Sequence, residues 1–129
     1  MPVLLRRSLL GFTLIELLVV LAIVALLATL ALPRYVQNVE LGKEVVLADN
    51  LRRLRDSIDQ FYGDHGRYPD SLQELVDRHY LRALPVDPVT GTSDGWIIEA
   101  PPADFGGQVY DVRSSAPGQT RDGRPFGEL

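Results

Sequence analysis

A single apolar run limits what this chain can be more tightly than anything else in it. From Phe12 to Leu32 there are 21 residues, of which only Thr13, Glu16 and Thr29 are neither apolar nor small. As a helix the run reaches about 31 Å, the thickness of a bilayer's hydrocarbon layer. A buried core helix needs protein on every side, and the 97 residues after Leu32 are too few and too polar to wrap it. A cleaved secretory signal of the usual kind stops after roughly 7 to 15 apolar residues at a small-x-small site. Here the apolar run continues past any such site into further helical pattern. The run therefore predicts one membrane anchor. Arg6 and Arg7 precede it, while Arg34, Glu40, Lys43 and Glu44 follow, a bias that places the amino terminus in the cytoplasm and the rest of the chain across the membrane. From Arg34 onward 11 basic and 16 acidic residues give a net charge of 11 − 16 = −5, which suits a soluble head that does not adhere to an anionic surface.

Composition removes several function classes. The whole chain has 13 basic and 17 acidic residues, a net charge of −4, so no excess of positive charge gathers phosphate backbones and nucleic acid is not an expected partner. There is no cysteine, which excludes a disulfide framework, a thiol nucleophile and any thiolate metal site. His65 and His79 are separated by a proline turn and lack metal-ligand spacing, and Gly63 and Gly66 do not follow a strand as a phosphate loop requires. No residues assemble into an active site, and the expectation is a protein that is not an enzyme.

Beyond the apolar run the pattern changes from all-round hydrophobicity to a stripe. Leu47, Leu51, Leu54, Ile58 and Phe61 are spaced 4, 3, 4 and 3, with Asp49, Arg52, Arg53, Asp56 and Asp59 on the wetter side. One helix from about Phe12 to Tyr62 is predicted, anchor in its first half and head packing in its second. Gly63-Asp64-His65-Gly66-Arg67-Tyr68-Pro69 ends it. Asp70 or Ser71, with Gln73 or Glu74 three residues on, predicts a capped second helix over about Leu72 to Tyr80. Trp96-Ile97-Ile98 and Val109-Tyr110-Asp111-Val112 read as short antiparallel strands, with Trp96, Phe105 and Tyr110 as core or rim, and Ser114 to Leu129 reads as loop. The expected fold class is α+β.

Glu16 is out of place, because a carboxylate at mid-bilayer costs roughly 2.5 to 3.5 kcal/mol and such groups mark function or find partners. Around it stand Arg6-Arg7-Ser8-Leu9-Leu10-Gly11 and Phe12-Thr13-Leu14-Ile15-Glu16-Leu17. Basic leader, glycine, phenylalanine, glutamate at the fifth place after the glycine and a long apolar run resemble the processing site of type IV prepilins and type II secretion pseudopilins. The resemblance implies a type IV pilin-like fold and a membrane-embedded aspartyl peptidase that cuts between Gly11 and Phe12 and methylates the new amine of Phe12. It makes Glu16 an assembly residue, paired with the Phe12 amine of its own or a neighbouring subunit, and Pro33 a point where the helix loosens during assembly. Phe61-Tyr62, Gly66-Arg67-Tyr68-Pro69 and Leu84-Pro85-Val86-Asp87-Pro88 resemble the region after the helix in the major pseudopilins.

In that family calcium is held near the carboxy terminus, where this chain offers Asp111, Ser114 and Asp122. The chain departs from the pattern at Ser115-Ala116-Pro117-Gly118-Gln119 and at Gly127-Glu128-Leu129, where aspartates are expected. Calcium needs six to eight oxygens, so a loop without metal or cofactor, closed by hydrogen bonds, is expected. The implied organisation is a leader over 1–11, an anchor over 12–33 and a periplasmic head over 34–129. The implied role is a structural subunit of a type II secretion pseudopilus in the bacterial inner membrane. Expected partners are the prepilin peptidase and methyltransferase, other copies, minor pseudopilins, the assembly platform and the bilayer. A type IV pilus subunit and a tethered periplasmic binding module that never polymerises are the alternatives.

Overall fold

A computed structural model describes residues 11–129. Its elements run α1 (Leu14–His65), α2 (Leu72–Asp77), β1 (Ile97–Glu99), β2 (Asp111–Arg113) and a 3-10 turn, Phe126–Glu128. The α+β expectation holds: a first helix, a short second helix and a two-stranded antiparallel sheet. Contacts divide the chain into two units, one ending at Asn38 and the other running from Val39 to Leu129.

In the first unit α1 is exposed at every position, and exposure continues to Gly42. Thr13 opens the helix, its hydroxyl accepting from Glu16 N at 3.2 Å and its carbonyl accepting from Leu17 N at 3.2 Å. Pro33 lies inside the helix, which runs on through it without a break. Proline removes one backbone bond, to the Thr29 carbonyl, and helical pattern on both sides carries the chain through.

The second unit has its own core. Leu47, Leu51, Leu54, Ile58 and Phe61 are all buried, as the stripe predicts, and Leu75, Trp96, Val109, Val112 and Phe126 close over them. The Trp96 indole donates to Pro85 O at 3.0 Å, which satisfies its one polar atom inside the core. Ile97 pairs with Arg113, Ile98 with Val112 and Glu99 with Asp111, and only Val112 of these turns fully inward.

Several boundaries differ from expectation: α1 starts at Leu14 and not Phe12, and the strands fall at Ile97–Glu99 and Asp111–Arg113 where Trp96 to Ile98 and Val109 to Val112 are expected. Helix α1 runs three residues past Tyr62, because Gly63 is accommodated and the stop falls at Gly66, whose φ of 69° supplies the left-handed turn and whose N–H bonds Tyr62 O at 2.8 Å. Helix α2 ends at Asp77 instead of near Tyr80, because His79 takes a left-handed φ of 64° and Tyr80 N turns back to Leu75 O at 2.8 Å. That reversal brings the Tyr80 ring to 5.4 Å from Phe61. In the tail, expected to be loop throughout, Phe126 is buried and starts a 3-10 turn.

Ser71 is the cap of α2, accepting from Glu74 N at 3.2 Å. Glu74 does not return the bond of a full capping box; its carboxylate meets Arg67 Nη2 at 2.8 Å, and the Arg67 guanidinium lies 5.1 Å from the centre of the Phe61 ring. The Gly66-Arg67-Tyr68-Pro69 turn is also held against residues 106–109, with Tyr68 N on Gly106 O at 2.9 Å and Val109 N on Pro69 O at 2.9 Å. A Cβ at Gly107 would lie 2.1 Å from Tyr68 O, so only glycine permits this approach.

Candidate functional site

The residues singled out for processing and assembly lie at the start of α1. Phe12 is 85% exposed, and among the described residues, chain neighbours aside, no atom lies within 4 Å of where a Cβ on Gly11 would stand. The described fold therefore makes no demand for glycine at position 11. Phe12 precedes the first helical residue, so the helical spacing assumed between Phe12 and Glu16 does not hold here. Glu16 instead occupies the third position of α1 behind the Thr13 cap, a T-x-x-E arrangement that places its carboxylate at the positive end of the helix dipole. Arg6 and Arg7 lie outside the described residues.

From Leu14 to Leu32 the large apolar side chains are between 48% and 78% exposed, and no part of the most apolar 18-residue stretch is buried. One helix among the described residues is long and apolar enough to cross a membrane. A soluble core helix of this composition would be covered by its own chain; among the described residues this stretch is not.

The three calcium candidates have different partners. Asp111 Oδ1 accepts from Arg55 Nε at 2.9 Å and from Val112 N at 2.8 Å. Ser114 is buried, donates to Asp87 Oδ2 at 2.5 Å and accepts from Ala116 N at 3.1 Å. Asp122 is exposed in the turn closed by Gly123 N on Thr120 O. Among the described residues no three histidines or carboxylates gather where they could hold a metal ion. The guanidinium on Asp111 repels a second cation there, and the three candidates bring only two carboxylates toward the six to eight oxygens calcium takes, so this donor set does not suit calcium.

Two residues that carry the head have no role assigned by sequence reasoning. Asp87 is 2% exposed and organises the loop after Pro85: Oδ1 accepts from Val89 N at 2.8 Å, Oδ2 accepts from Ser114, and its N–H donates to Thr92 O at 2.9 Å. Its place between two prolines was the available signal. Arg55 was legible only as one more charge beside the stripe, although it stands four residues after Leu51 on the stripe's flank.

At the end of α1, Tyr80 donates to Asp64 Oδ2 at 2.5 Å and lies 3.3 Å from His65 Nε2. The bond to Asp64 raises the phenol above its ordinary pKa, because ionisation would set two negative charges together. Burial raises Tyr68 in the same direction, with Tyr110 and Tyr62 adding to it. His65 packs on Phe61, ring centres 4.3 Å apart, and His79 shapes the end of α2.

Comparison with known proteins adds an independent line. Residues 6–32 match the family model described as the prokaryotic N-terminal methylation motif. The type II secretion system core protein G of Klebsiella michiganensis is 30% identical over 114 residues, covering 88% of this chain and 78% of the relative. The protein of the same name from Aeromonas hydrophila is 31% identical with the same coverage. The type IV major pilin protein PilA of Myxococcus xanthus is 35% identical, but over 50% of this chain and 30% of its own length. No solved structure matches. A 114-residue likeness is longer than the anchor or the head alone and takes in the methylation motif's host helix and most of the core described above; the chain belongs to the family of type II secretion system core protein G.

Proposed function

We propose that this chain is the precursor of a structural subunit of a type II secretion pseudopilus, anchored in the inner membrane with its head in the periplasm. The observation that carries the reading is the contrast within α1. Its apolar first half has no cover from its own chain, while the second half is the spine of a self-sufficient core. An apolar surface of that extent needs lipid before assembly and neighbouring copies after it. The function is therefore mechanical, and the chain is not an enzyme. Its partners are a processing peptidase and methyltransferase, other copies and the assembly platform, with minor pseudopilins as the finer expectation. The core protein G likeness spans 88% of the chain and the pilin likeness 50%, which favours secretion over a type IV pilus.

The division into a leader over 1–11, an anchor over 12–33 and a head over 34–129 belongs to the same proposal. Gly11 serves the peptidase, since the described fold has no use for it, and cleavage before Phe12 creates an amine in apolar surroundings. Glu16 neutralises such an amine on a neighbouring copy and so selects the axial step, and Pro33 provides a point where one backbone bond is already missing. Intact-mass measurement of membrane-extracted protein is expected to show loss of residues 1–11 plus one methyl group; full-length protein in cells that hold the peptidase would reject the assignment. For Glu16, the Thr13 cap supplies the control. Glu16→Gln should abolish filaments at equal membrane abundance while Thr13→Ala retains them. Equal loss in both variants would mean that helix capping, and not charge pairing, is what assembly requires.

A further inference from the structure

The tail from Ser114 onward has few apolar anchors, chiefly Ala116 and Phe126, yet it is tied at several points to helix α1 and its neighbours. Arg55 is the centre of these ties. Its Nε donates to Asp111 Oδ1 at 2.9 Å, and its Nη2 donates to Val112 O at 3.0 Å and to Leu129 O at 2.6 Å. One planar cation thus joins α1, strand β2 and the last residue of the chain, across sequence separations of 56, 57 and 74 residues. Glu44, earlier on α1, accepts from Arg121 N at 2.7 Å, and Arg124 Nη2 bonds Glu128 O at 3.0 Å within the tail.

We infer that Arg55 is a built-in cation that closes the carboxy-terminal loop of this head, doing with a guanidinium what a bound calcium ion would otherwise do. Three features carry the inference. A side-chain carboxylate and two main-chain oxygens converge on one positive charge, which is the donor chemistry of a hard cation site. Asp111 Oδ1 accepts from both Arg55 and Val112 N–H, so a metal at that oxygen would compete with the guanidinium, and one at the other carboxylate oxygen would stand beside its positive charge. Ser114, the next candidate ligand, gives its proton to Asp87 and one of its two lone pairs to Ala116 N. Arginine suits the task because its rigid fork reaches several oxygens at once, which a lysine ammonium on a flexible stem does less well. The consequence is a head whose tail stays closed whatever the calcium concentration outside the cytoplasm.

The test uses the full chain in detergent, followed by circular dichroism melting and by limited trypsin cleavage after Arg121 read by mass, Arg124 being protected from trypsin by Pro125. Adding calcium to about 1 mM, a concentration that fills extracellular calcium modules, or removing it with a chelator, is expected to leave both readouts of the wild type unchanged. Arg55→Met should lower the melting temperature by about 5 to 10 °C and expose Arg121 to cleavage, with or without calcium. Should Arg55→Met fail to fold, Arg55→Lys keeps the charge but loses the fork, and faster tail cleavage at an unchanged core spectrum is the expected result. A saturable calcium stabilisation of the wild type, or a tail equally protected in Arg55→Lys and Arg55→Met, would overturn the inference.

Discussion

Leu21 and Leu54 stand on the same helix and have the same side chain, yet Leu21 is 55% exposed and Leu54 is fully buried. The difference lies in what surrounds them. Around Leu21 every helix face is apolar, and such a helix asks for an apolar solvent on all sides. Around Leu54 the apolar residues form one stripe with charges opposite, which asks for a single partner surface, and α2, β2 and the tail provide it. Apolarity alone does not place a residue in a core; its angular distribution decides whether the cover comes from the same chain or from elsewhere.

That contrast breaks most sharply on truncation. Leu54→Ala should destabilise the head by about 2 to 5 kcal/mol, from lost burial plus the cavity left behind. Leu21→Ala should leave the head's melting unchanged, since Leu21 is exposed and lies outside the core cluster of the described residues. Thermal unfolding of both variants in detergent checks the pair, and equal destabilisation would dissolve the distinction between the two halves of α1.

A smaller effect tests whether the head depends on its buried polar contacts as it does on its apolar ones. Asp87→Ala leaves Val89 N–H, Thr90 N–H and the Ser114 hydroxyl without their acceptor, and should cost about 2 to 3 kcal/mol. Hydrogen exchange is expected to quicken at Val89 and Thr90 first, while the amides of α1 before Gly42 do not change.

Smaller again is Ser71→Ala, which removes the α2 cap for about 1 kcal/mol. Gly in the same place should restore most of it. Denaturant unfolding of the three proteins gives the order serine, glycine, alanine if the hydroxyl acts as a cap.

The least effect concerns alkaline pH. Tyr80 is raised above its ordinary value chiefly by its bond to Asp64, so the folded state holds that proton more tightly than the unfolded one. Its contribution is complete below the unfolded pKa of about 10 and is lost as pH rises through the folded value. Tyr80→Phe should therefore reduce stability slightly at neutral pH and flatten the alkaline limb of the stability profile. An alkaline limb identical to wild type would show that the Tyr80–Asp64 bond contributes nothing to the head.

Much of this molecule was legible because it is local. The anchor is a property of 21 consecutive residues, the stripe from Leu47 to Phe61 is a period, and the Ser71 cap is a spacing of three, so each is written in neighbouring letters. Even the misplaced boundaries failed locally, where Gly63 tolerated the helix and His79 took a backbone conformation that few side chains adopt. The processing residues rest on a motif in the same way, and folding of the described chain neither requires nor opposes glycine at position 11.

What periodicity could not assign were the partners of single charges. Arg55 and Asp111 are separated by 56 residues, and Asp87 and Ser114 by 27. Nothing in the letters between them says that they meet. Arg52, Arg53, Asp56 and Asp59 are exposed charges of similar appearance near Arg55, and only the packing of β2 and the tail against one face of α1 selects Arg55 from among them. An anchor, a striped helix and a small αβ head can be read from the order of residues, because burial patterns repeat along a helix or strand. That the carboxylate offered at Asp111 is answered by a guanidinium is a property of the folded chain, because the pairing of charges depends on distance in space and not on distance along the sequence.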